Sequence, residues 1–283
     1  MTASEAAGKV DAVTGNLPPV APEVIVAAEA ETEADRKAAA ALAVRLMEKT
    51  RTASGNAYLT RKGVEAAPGV RINDKQELVI PFSNAQGQIR SYQRIPLTGG
   101  KDARILKDSE KTGNWFALGT PQNGQPVLFA EGYATAASLH ESTGLPVLMT
   151  IDAGNMIAAG QNARAVWPDS PFIFCADNDH HLKNPQTDEP ENKGILSAQK
   201  AAELTGGTVI APDFTTEEKA NTLTDFNDLD VSRGREAFRE VVSANLKSAG
   251  IDIHVNSPAP APDGAPSLPH QVNHMDNPEN PVV

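Results

Sequence analysis

Cysteine is almost absent from this chain of 283 residues, which contains only Cys175. A single cysteine excludes a disulfide within the chain and a cysteine-rich zinc ribbon. Aromatic residues make up only 5% of the sequence and alanine is abundant, a composition that favours a helix-rich α/β protein over an all-β sandwich. The sequence also lacks a signal peptide and any apolar run long enough to cross a bilayer. These absences predict a soluble, cytoplasmic chain that does not contact a membrane.

Positive charge is in the minority, and where it occurs it is concentrated. The chain has 25 basic and 36 acidic residues, a net charge of −11, which argues against a protein that coats nucleic acid without specificity. A local basic patch can nevertheless bind phosphates while the rest of the surface stays acidic. Such a patch is predicted between residues 90 and 111, which contain Arg90, Arg94, Lys101, Arg104, Lys107 and Lys111.

The first half of the chain reads as a leader followed by a helix and a small β-containing region. Prolines interrupt residues 1–32, which are predicted to form a flexible leader. A helix is predicted over about 33–50, because acidic residues come early in it and basic residues late. The segments Glu77–Pro81 and Gln88–Ile95 flank a glycine-containing turn and predict a β-hairpin. Their apolar residues do not alternate strictly, which predicts a bulge or a twist. The helix and this basic β-containing subdomain are assigned to residues 33–125.

Residues 126–248 predict an α/β domain with a parallel sheet. Short apolar runs alternate with amphipathic helices, a pattern typical of βαβ units. A polar loop is predicted after the last strand, through Asp230, followed by a helix over about 233–247. Residues 249–283 are predicted to form a disordered tail. The strands are predicted at 127–130, 146–151, 172–176 and 208–211, and the helices between them at 134–142, 155–164 and 193–204.

Acidic residues follow the predicted strands. Glu131, Asp152 and the pair Asp177 and Asp179 come directly after three of them, and in parallel sheets these ends meet at the ligand-binding edge. Crowded carboxylates repel one another unless a cation relieves them, and a hard divalent cation suits oxygen ligands. Alternate residues of an extended chain point the same way, so the Asp-x-Asp pair can face one ion. For Asp152, a role at a helix start is the better interpretation.

Several other residues have competing interpretations. His180 and His181 suggest a zinc site, but without cysteines they are better read as polar loop residues, and no zinc is expected. Cys175 is interpreted as a small core residue rather than a nucleophile. Tyr133 and Trp115 could stack on a base, although packing is favoured for Tyr133.

Three segments resemble the toprim domain of primases carried by plasmids and phages. They are Phe129–Leu139, Cys175–Asp179 and Thr224–Leu229, and the segments 58–64, 78–81, 87–89 and 101–113 resemble the basic subdomain that precedes toprim in these primases. The likeness covers roughly residues 56 to 247. It implies a toprim Rossmann-like parallel sheet flanked by helices, preceded by a small basic α+β subdomain.

The resemblance implies a nucleotidyltransferase, a DNA primase that depends on Mg²⁺ (or Mn²⁺). Ribonucleoside triphosphates would be joined into short RNA primers on a single-stranded DNA template, for plasmid or phage replication or for transfer by conjugation. The implied catalytic residues and metal ligands are Glu131, Asp177 and Asp179, with Glu131 acting as a ligand or as a general acid or base. Asp225 and Asp228 would add ligands, or they are helix-capping or turn residues. The implied phosphate-binding residues are Arg90, Arg94, Lys101, Arg104 and Lys107.

Two departures from these primases leave alternatives open. Thr135 stands four residues after the motif glutamate, where many bacterial primases carry an aspartate, and the zinc ribbon that often helps to choose the start site is missing. No Walker A loop is present, so a helicase or other replication protein would open the duplex. The alternatives are a toprim nuclease and a non-catalytic DNA-binding replication accessory module. A topoisomerase is disfavoured, because it would need a nucleophilic tyrosine in a separate domain.

Overall fold

The structure, a computed structural model, describes residues 22–99, 102–184 and 186–252, and it describes only the backbone of 22–31. Most of the predicted leader, and residues 253–283 of the predicted tail, lie outside these ranges. The first described element is helix α1 (Pro22–Glu48). The prediction that this helix starts at about residue 33 is therefore wrong. Pro22 stands at its first position, where the missing N–H of proline costs no helical hydrogen bond.

The first sheet is antiparallel and has five strands in the order of the sequence. Its hairpin of Leu78–Ser83 and Ile89–Ile95 is the predicted one, and the Asn84 side chain closes the turn by accepting hydrogen bonds from the backbone N–H groups of Gln86 and Gln88. The pairing register shifts between Phe82 and Ser83, so the hairpin has an irregularity of the kind predicted. The elements of this region are β1 (Arg51–Thr52), α2 (Ala57–Lys62), β2 (Arg71–Ile72), β3 (Leu78–Ser83), β4 (Ile89–Ile95) and β5 (Arg104–Ile105).

The second sheet is mixed, with the strand order β10-β9-β7-β8-β6. Strands β7 to β10 are parallel, and β6 (Phe116–Leu118) pairs antiparallel with β8 at one edge. The predicted α/β class and the βαβ units are confirmed. The edge strand β6 was not predicted, because so short a strand carries little periodicity. The βαβ elements are β7 (Val127–Ala130), α3 (Tyr133–Thr143), β8 (Val147–Met149), α4 (Ala153–Val166), β9 (Phe172–Cys175), α5 (Lys193–Thr205) and β10 (Thr208–Ile210).

The segment after β10 is more helical than its composition suggests. The structure has α6 (Thr216–Ala220), α7 (Phe226–Arg233) and α8 (Arg235–Ser248), so the predicted polar loop through Asp230 is wrong. Side-chain caps explain the difference. Thr215 and Glu218 form a capping box on α6, and Asp225 caps α7. Phe226 is fully buried and anchors α7 to the core.

Helices cover both faces of the second sheet. Successive residues of its buried strands point to opposite faces, so each strand contributes side chains to both cores. Leu128 packs in the core that α3, α7 and α8 share with the first sheet, whereas Phe129 packs in the core beneath α4 and α5. Tyr133, 1% exposed, joins the subdomains: its hydroxyl donates to the carbonyl of Glu65 and accepts from the N–H of Ala67. The packing role expected for Tyr133 is confirmed.

Cys175 and Trp115 are also core residues. Cys175 is fully buried, as expected, and burial raises the pKa of its thiol. Trp115 is 6% exposed and its ring lies 5.8 Å from that of Trp167, so it packs rather than offering a face to a base. In the part of the chain that the structure describes, no helix has both the length and the apolar character needed to cross a bilayer.

Candidate active site

Acidic residues follow three neighbouring strands of the second sheet. Glu131 directly follows β7, Asp152 comes shortly after β8, and Asp177 comes shortly after β9. Strands β9, β7 and β8 are adjacent and parallel, so their carboxyl ends lie side by side. The sequence-based prediction that these acids share one edge of the sheet is confirmed.

Glu131 is a half-buried carboxyl group with an ionisation range near neutrality. Burial, and next the negative charge of Asp179, raise the pKa of Glu131 to about 7. A hydrogen bond from the backbone N–H of Ala153 opposes this shift. The Oε1 atom of Glu131 is buried and has no hydrogen-bond partner. A carboxyl group of this kind exchanges its proton near physiological pH, as a general acid or base must.

Asp177 is a second acid at this edge whose ionisation is opposed by its surroundings. Burial raises the pKa of Asp177 well above its ordinary value, and the charges of Glu131, Asp225, Asp179 and Asp228 act in the same direction. Its Oδ1 atom is buried without a hydrogen-bond partner, like Oε1 of Glu131. Buried carboxylate oxygens without a donor are costly, and a bound cation would remove that cost.

Asp179 is held by the start of helix α5 rather than left open. Its backbone N–H donates to Oδ1 of Asn192 at 3.1 Å, and its own Oδ2 accepts from the backbone N–H of Gly194 at 3.3 Å. Asn192 also caps α5 by accepting from the N–H of Ile195. A Cβ atom on Gly194 would lie only 2.3 Å from the carbonyl oxygen of Asp177. Glycine at this position therefore allows the helix to approach the Asp-x-Asp segment closely.

Asp225 and Asp228 are brought to the same edge, and both have structural roles there. Asp225 caps α7 by accepting from the backbone N–H of Asp228 at 2.8 Å. Asp228 accepts from the N–H of Thr224 at 3.1 Å and pairs with the Lys62 ammonium at 3.4 Å. Burial and the charge of Asp228 raise the pKa of Asp225, whereas Lys62 lowers it. Asp225 therefore caps α7 and also lies close enough to Asp177 to affect its pKa. The capping role does not prevent Asp225 from contributing to a cation site.

The residue types at the acidic edge suit a divalent cation, but the present positions of their side chains do not form a closed site. The partnerless oxygens of Glu131 and Asp177 are hard ligands of the type that Mg²⁺ prefers. Within the described residues, however, no three acidic, histidine or cysteine side chains are arranged closely enough to hold a metal ion. Closing such a site would require rotation of these carboxylates, so the ligand set remains a prediction.

The two histidines after Asp179 lie together beside the acidic edge. The ring centres of His180 and His181 are 5.5 Å apart, and His180 also lies 6.3 Å from the ring of Phe214. Both ring nitrogens of His180 are buried and have no hydrogen-bond partner. The loop position predicted for the pair is confirmed, since no helix or strand includes them.

The cations predicted to bind phosphates mostly pair with acids of their own subdomain. Arg90 contacts Glu110 at 2.7 Å, Arg94 contacts Glu77 at 3.4 Å, and Lys107 contacts Asp108 at 3.6 Å. Arg104 is exposed and donates to the carbonyl of Ala103. Lys101 lies outside the described residues. No hydrogen bond or ion pair in the described ranges connects Arg90, Arg94, Arg104 or Lys107 to the acidic edge, so their role is not shown by contact.

Two other lysines of the first subdomain do reach the acidic edge. Lys62, at the end of α2, pairs with Asp228, and Lys111 donates to Oδ2 of Asp152 at 2.7 Å. Neither was assigned to the site from the sequence. Both nevertheless lie in segments with a recognisable sequence pattern. Lys62 belongs to the segment 58–64 that resembles primases, and Lys111 belongs to the basic patch of residues 90–111.

Comparison with known proteins shows that the chain is similar to DNA primases. The chain is 34% identical over 165 residues to a DNA primase TraC of Escherichia coli, a match that covers 57% of this chain and 11% of the relative. It is 33% identical over 167 residues to a second Escherichia coli DNA primase TraC, covering 58% and 15%. The resemblance to DNA primases drawn from the motifs is confirmed. The chain spans only these small fractions of the two curated relatives, and no protein-family model matches it.

Solved primase structures show a weaker likeness. The primase fragment of the bacteriophage T7 primase-helicase protein has a TM-score of 0.48 and 14% identity, over 68% of this chain and 75% of that one. A DnaG primase catalytic domain bound to single-stranded DNA has a TM-score of 0.45 and 15% identity, over 77% and 80%.

Proposed function

We propose that this chain is the primer-synthesising part of a DNA primase, acting in the cytoplasm with Mg²⁺ or Mn²⁺. The observation that carries the proposal is the pair of buried, partnerless carboxylate oxygens of Glu131 and Asp177 at the sheet edge. Similarity to the TraC primases supports nucleotide transfer over other metal chemistry. The substrates would be ribonucleoside triphosphates and a single-stranded DNA template, in plasmid or phage replication or transfer.

The acidic residues would divide the chemistry between them. Asp177 and Asp179 would hold the cation, with Asp225 or Asp228 adding a ligand after a side-chain rotation. When bound, the cation would neutralise phosphate charge and make the primer 3′-hydroxyl more acidic. Glu131, whose pKa lies near 7, would accept or return a proton near that hydroxyl or serve as a further ligand.

The basic residues would bind phosphates at two distances from this centre. Lys62 and Lys111 already contact acids of the edge, so their ammonium groups would bind the triphosphate. Arg90, Arg94, Arg104, Lys107 and Lys101 would bind phosphates of the template. Arg90 and Arg94 would exchange their present carboxylate partners for these phosphates. A helicase or other replication protein would supply the single strand.

Primer synthesis provides the direct test. Purified protein is incubated with single-stranded DNA, labelled ribonucleotides and Mg²⁺, and the labelled products are sized by electrophoresis. Short labelled oligomers are expected from the wild type and not from Asp177→Asn. Asp169→Asn is the matched control, because Asp169 binds Asn123 at the opposite, amino-terminal edge of the sheet. Activity that persists in Asp177→Asn would contradict the assignment of the site.

The open arrangement of the acids favours one second candidate, a DNA-binding replication accessory module. The same assay separates the possibilities. DNA binding without labelled product would indicate the accessory module, and a shortened template would indicate a nuclease. Either result would overturn the proposed primase activity.

A further inference from the structure

The segment 110–115 runs between the two sheets and is shaped by a buried amide. At its end Trp115 exchanges two backbone hydrogen bonds with Ser83 of the first sheet, and the following residues form β6 of the second. Asn114 is 2% exposed, and its Nδ2 donates to the carbonyl of Glu110 at 2.8 Å. The segment is therefore a compact loop attached to both subdomains.

Asn155, in the first turn of α4, fixes this loop to the second sheet. It is 2% exposed, and its Oδ1 accepts from the backbone N–H of Gly113 at 2.7 Å. Its Nδ2 donates to the carbonyl of Asn114 at 2.9 Å and to that of Thr150 at 2.8 Å. One side chain thus connects the loop, the start of α4 and the segment after β8. A buried amide with both its oxygen and its nitrogen engaged holds these segments in a single arrangement.

A second amide supports the same contact. Nδ2 of Asn162, further along α4, donates to the carbonyl of Gly113 at 3.0 Å. Gly113 has φ of +76°, and a Cβ atom there would lie 2.2 Å from Nδ2 of Asn162. The positive φ favours glycine at this point, and any larger residue would also displace the Asn162 amide that contacts the loop.

Lys111 projects from this loop to the acidic edge. Its Nζ contacts Oδ2 of Asp152 at 2.7 Å, while Oδ1 of the same carboxylate accepts from the backbone N–H of Asn155 at 3.0 Å. Asp152 is near enough to Glu131 for its charge to raise the pKa of that residue. Asn155 therefore determines the position of the loop from which Lys111 extends and also contacts the aspartate that Lys111 binds.

We propose that Asn155 is a positioning residue, which holds Lys111 at the acidic edge so that the Lys111 ammonium can bind a phosphate of the incoming nucleotide. The inference rests on the proposed function for its substrate, but the placement of Lys111 can be tested without catalysis. A lysine side chain loses considerable rotamer entropy when it is ordered. Because the buried amide of Asn155 already fixes the backbone around Lys111, the lysine loses less conformational entropy when the nucleotide binds.

The first experiment measures the chemical reactivity of Lys111. Trace acetylation with acetic anhydride is followed by mass spectrometry, and Lys200, which pairs with Glu203 on α5, is the internal reference. Asn155→Ala is expected to raise the relative acetylation rate of Lys111 about threefold to fivefold, because the ion pair with Asp152 is lost. The matched control is Asn123→Ala, which removes an amide contact between two loops at the opposite edge and is expected to leave the rate unchanged.

The second experiment measures coupling in primer synthesis. Lys111→Ala is expected to raise KM for the nucleotide by roughly tenfold, the loss typical of one charge-assisted hydrogen bond, with little change in kcat. Asn155→Ala should raise KM in the same way, and the double variant should be no worse than Lys111→Ala alone. A residue that only stabilises the fold would instead act independently, so its effect would multiply with that of Lys111→Ala.

If Asn155→Ala does not fold, Asn162→Ala replaces it in the test. This variant removes only the hydrogen bond to the Gly113 carbonyl. This milder variant is expected to change Lys111 reactivity in the same direction by a smaller factor. Unchanged reactivity in every folded variant of this pair, or multiplying effects on KM, would overturn the inference. A wild type that makes no primers would refute the proposed function, while the acetylation rates would still decide whether Asn155 positions Lys111.

Discussion

At the scale of single residues, the main feature is a concentration of negative charge that two lysines relieve only in part. Glu131 and Asp177 each bury a carboxylate oxygen that has no donor, and the charges of neighbouring acids act on both. Such an arrangement lowers the stability of the protein when the acids ionise without a cation. The cost is concentrated at the residues proposed to carry the chemistry.

The variant Asp177→Asn distinguishes the effect of this negative charge on stability from its effect on primer synthesis. The amide removes one negative charge and can donate to a neighbouring carboxylate, so we expect the free energy of unfolding at pH 8 without divalent cations to rise by roughly 1 to 3 kcal/mol. Urea denaturation measures this change, and primer synthesis should be lost in the same protein. Asp169→Asn, at the opposite edge, should change stability by less than about 0.5 kcal/mol. A stability loss in Asp177→Asn would show that the charge is compensated in the native protein.

Gly194→Ala tests the close approach of α5 to the acidic segment. The new Cβ would meet the Asp177 carbonyl oxygen at 2.3 Å, and backbone atoms have little freedom to move apart. We expect a loss of about 1 to 3 kcal/mol in the free energy of unfolding. Primer synthesis should fall on the order of 100-fold as the carboxylates shift.

The control for this variant is Gly132→Ala, next to Glu131, where a Cβ would meet no atom within 4 Å. We expect its effect on unfolding to stay below about 1 kcal/mol. If Gly194→Ala behaves like Gly132→Ala, the packing of α5 does not constrain Asp177.

The acids of the site could be predicted from sequence, but the lysines that reach it could not. Glu131, Asp152 and Asp177 each follow a short apolar run, and strand direction alone places them at one edge. Lys62 and Lys111 reach that edge only because the first subdomain packs against the second sheet. That contact depends on tertiary packing between distant segments, which local patterns do not encode.

At the scale of elements, helix α7 combines a structural and a chemical role. Asp225 caps the helix and lies at the same edge of the sheet as Asp177, where burial raises the pKa of its carboxyl group. The helix was missed in the sequence because most of its residues are polar, and a capping aspartate is difficult to distinguish from a turn residue. Its two apolar anchors, Phe226 and Leu229, become informative only once the core beneath them is known.

Two substitutions of Asp225 separate these roles. Asparagine caps a helix as well as aspartate does, so Asp225→Asn should keep or slightly raise stability, whereas Asp225→Ala should lose about 1 kcal/mol. If Asp225 contributes to cation binding, both variants should reduce primer synthesis. Thr215→Ala, which removes the capping box of α6, is the control that should lower stability and leave primer synthesis intact. Full primer synthesis in Asp225→Asn would restrict Asp225 to the capping role.

At the scale of the whole molecule, the parallel βαβ class of the second sheet was predictable, whereas its strand order and the junction of the subdomains were not. The handedness of parallel crossovers restricts the possible arrangements, but consecutive strands need not be neighbours: β7 lies between β8 and β9. The antiparallel strand β6 and the loop before it join the two sheets through backbone and amide contacts. Those contacts leave no periodic signal in the sequence.

Stability of the whole molecule should therefore depend on pH and on Mg²⁺ together. The folded pKa of Glu131, about 7, and that of Asp177 both lie above their ordinary values, so the folded state binds protons more tightly there than the unfolded chain. Without a cation, stability should fall by roughly 1 to 3 kcal/mol as pH rises from about 4.5, the ordinary pKa of Glu131, through about 7, its folded pKa. Glu218 acts in the opposite direction, because its pKa is lowered to about 2 by Arg233, and its contribution is lost only at lower pH.

Saturating Mg²⁺ should remove most of this decline. A ligand at 100 times its Kd stabilises the folded state by about 2.7 kcal/mol, and the gain should be larger at pH 8, where the carboxylates are ionised, than at pH 5. Thermal unfolding with and without Mg²⁺ at the two pH values measures the difference, and Asp177→Asn should show little of it. An equal effect of Mg²⁺ on the wild type and on Asp177→Asn would place the bound cation away from the acidic edge.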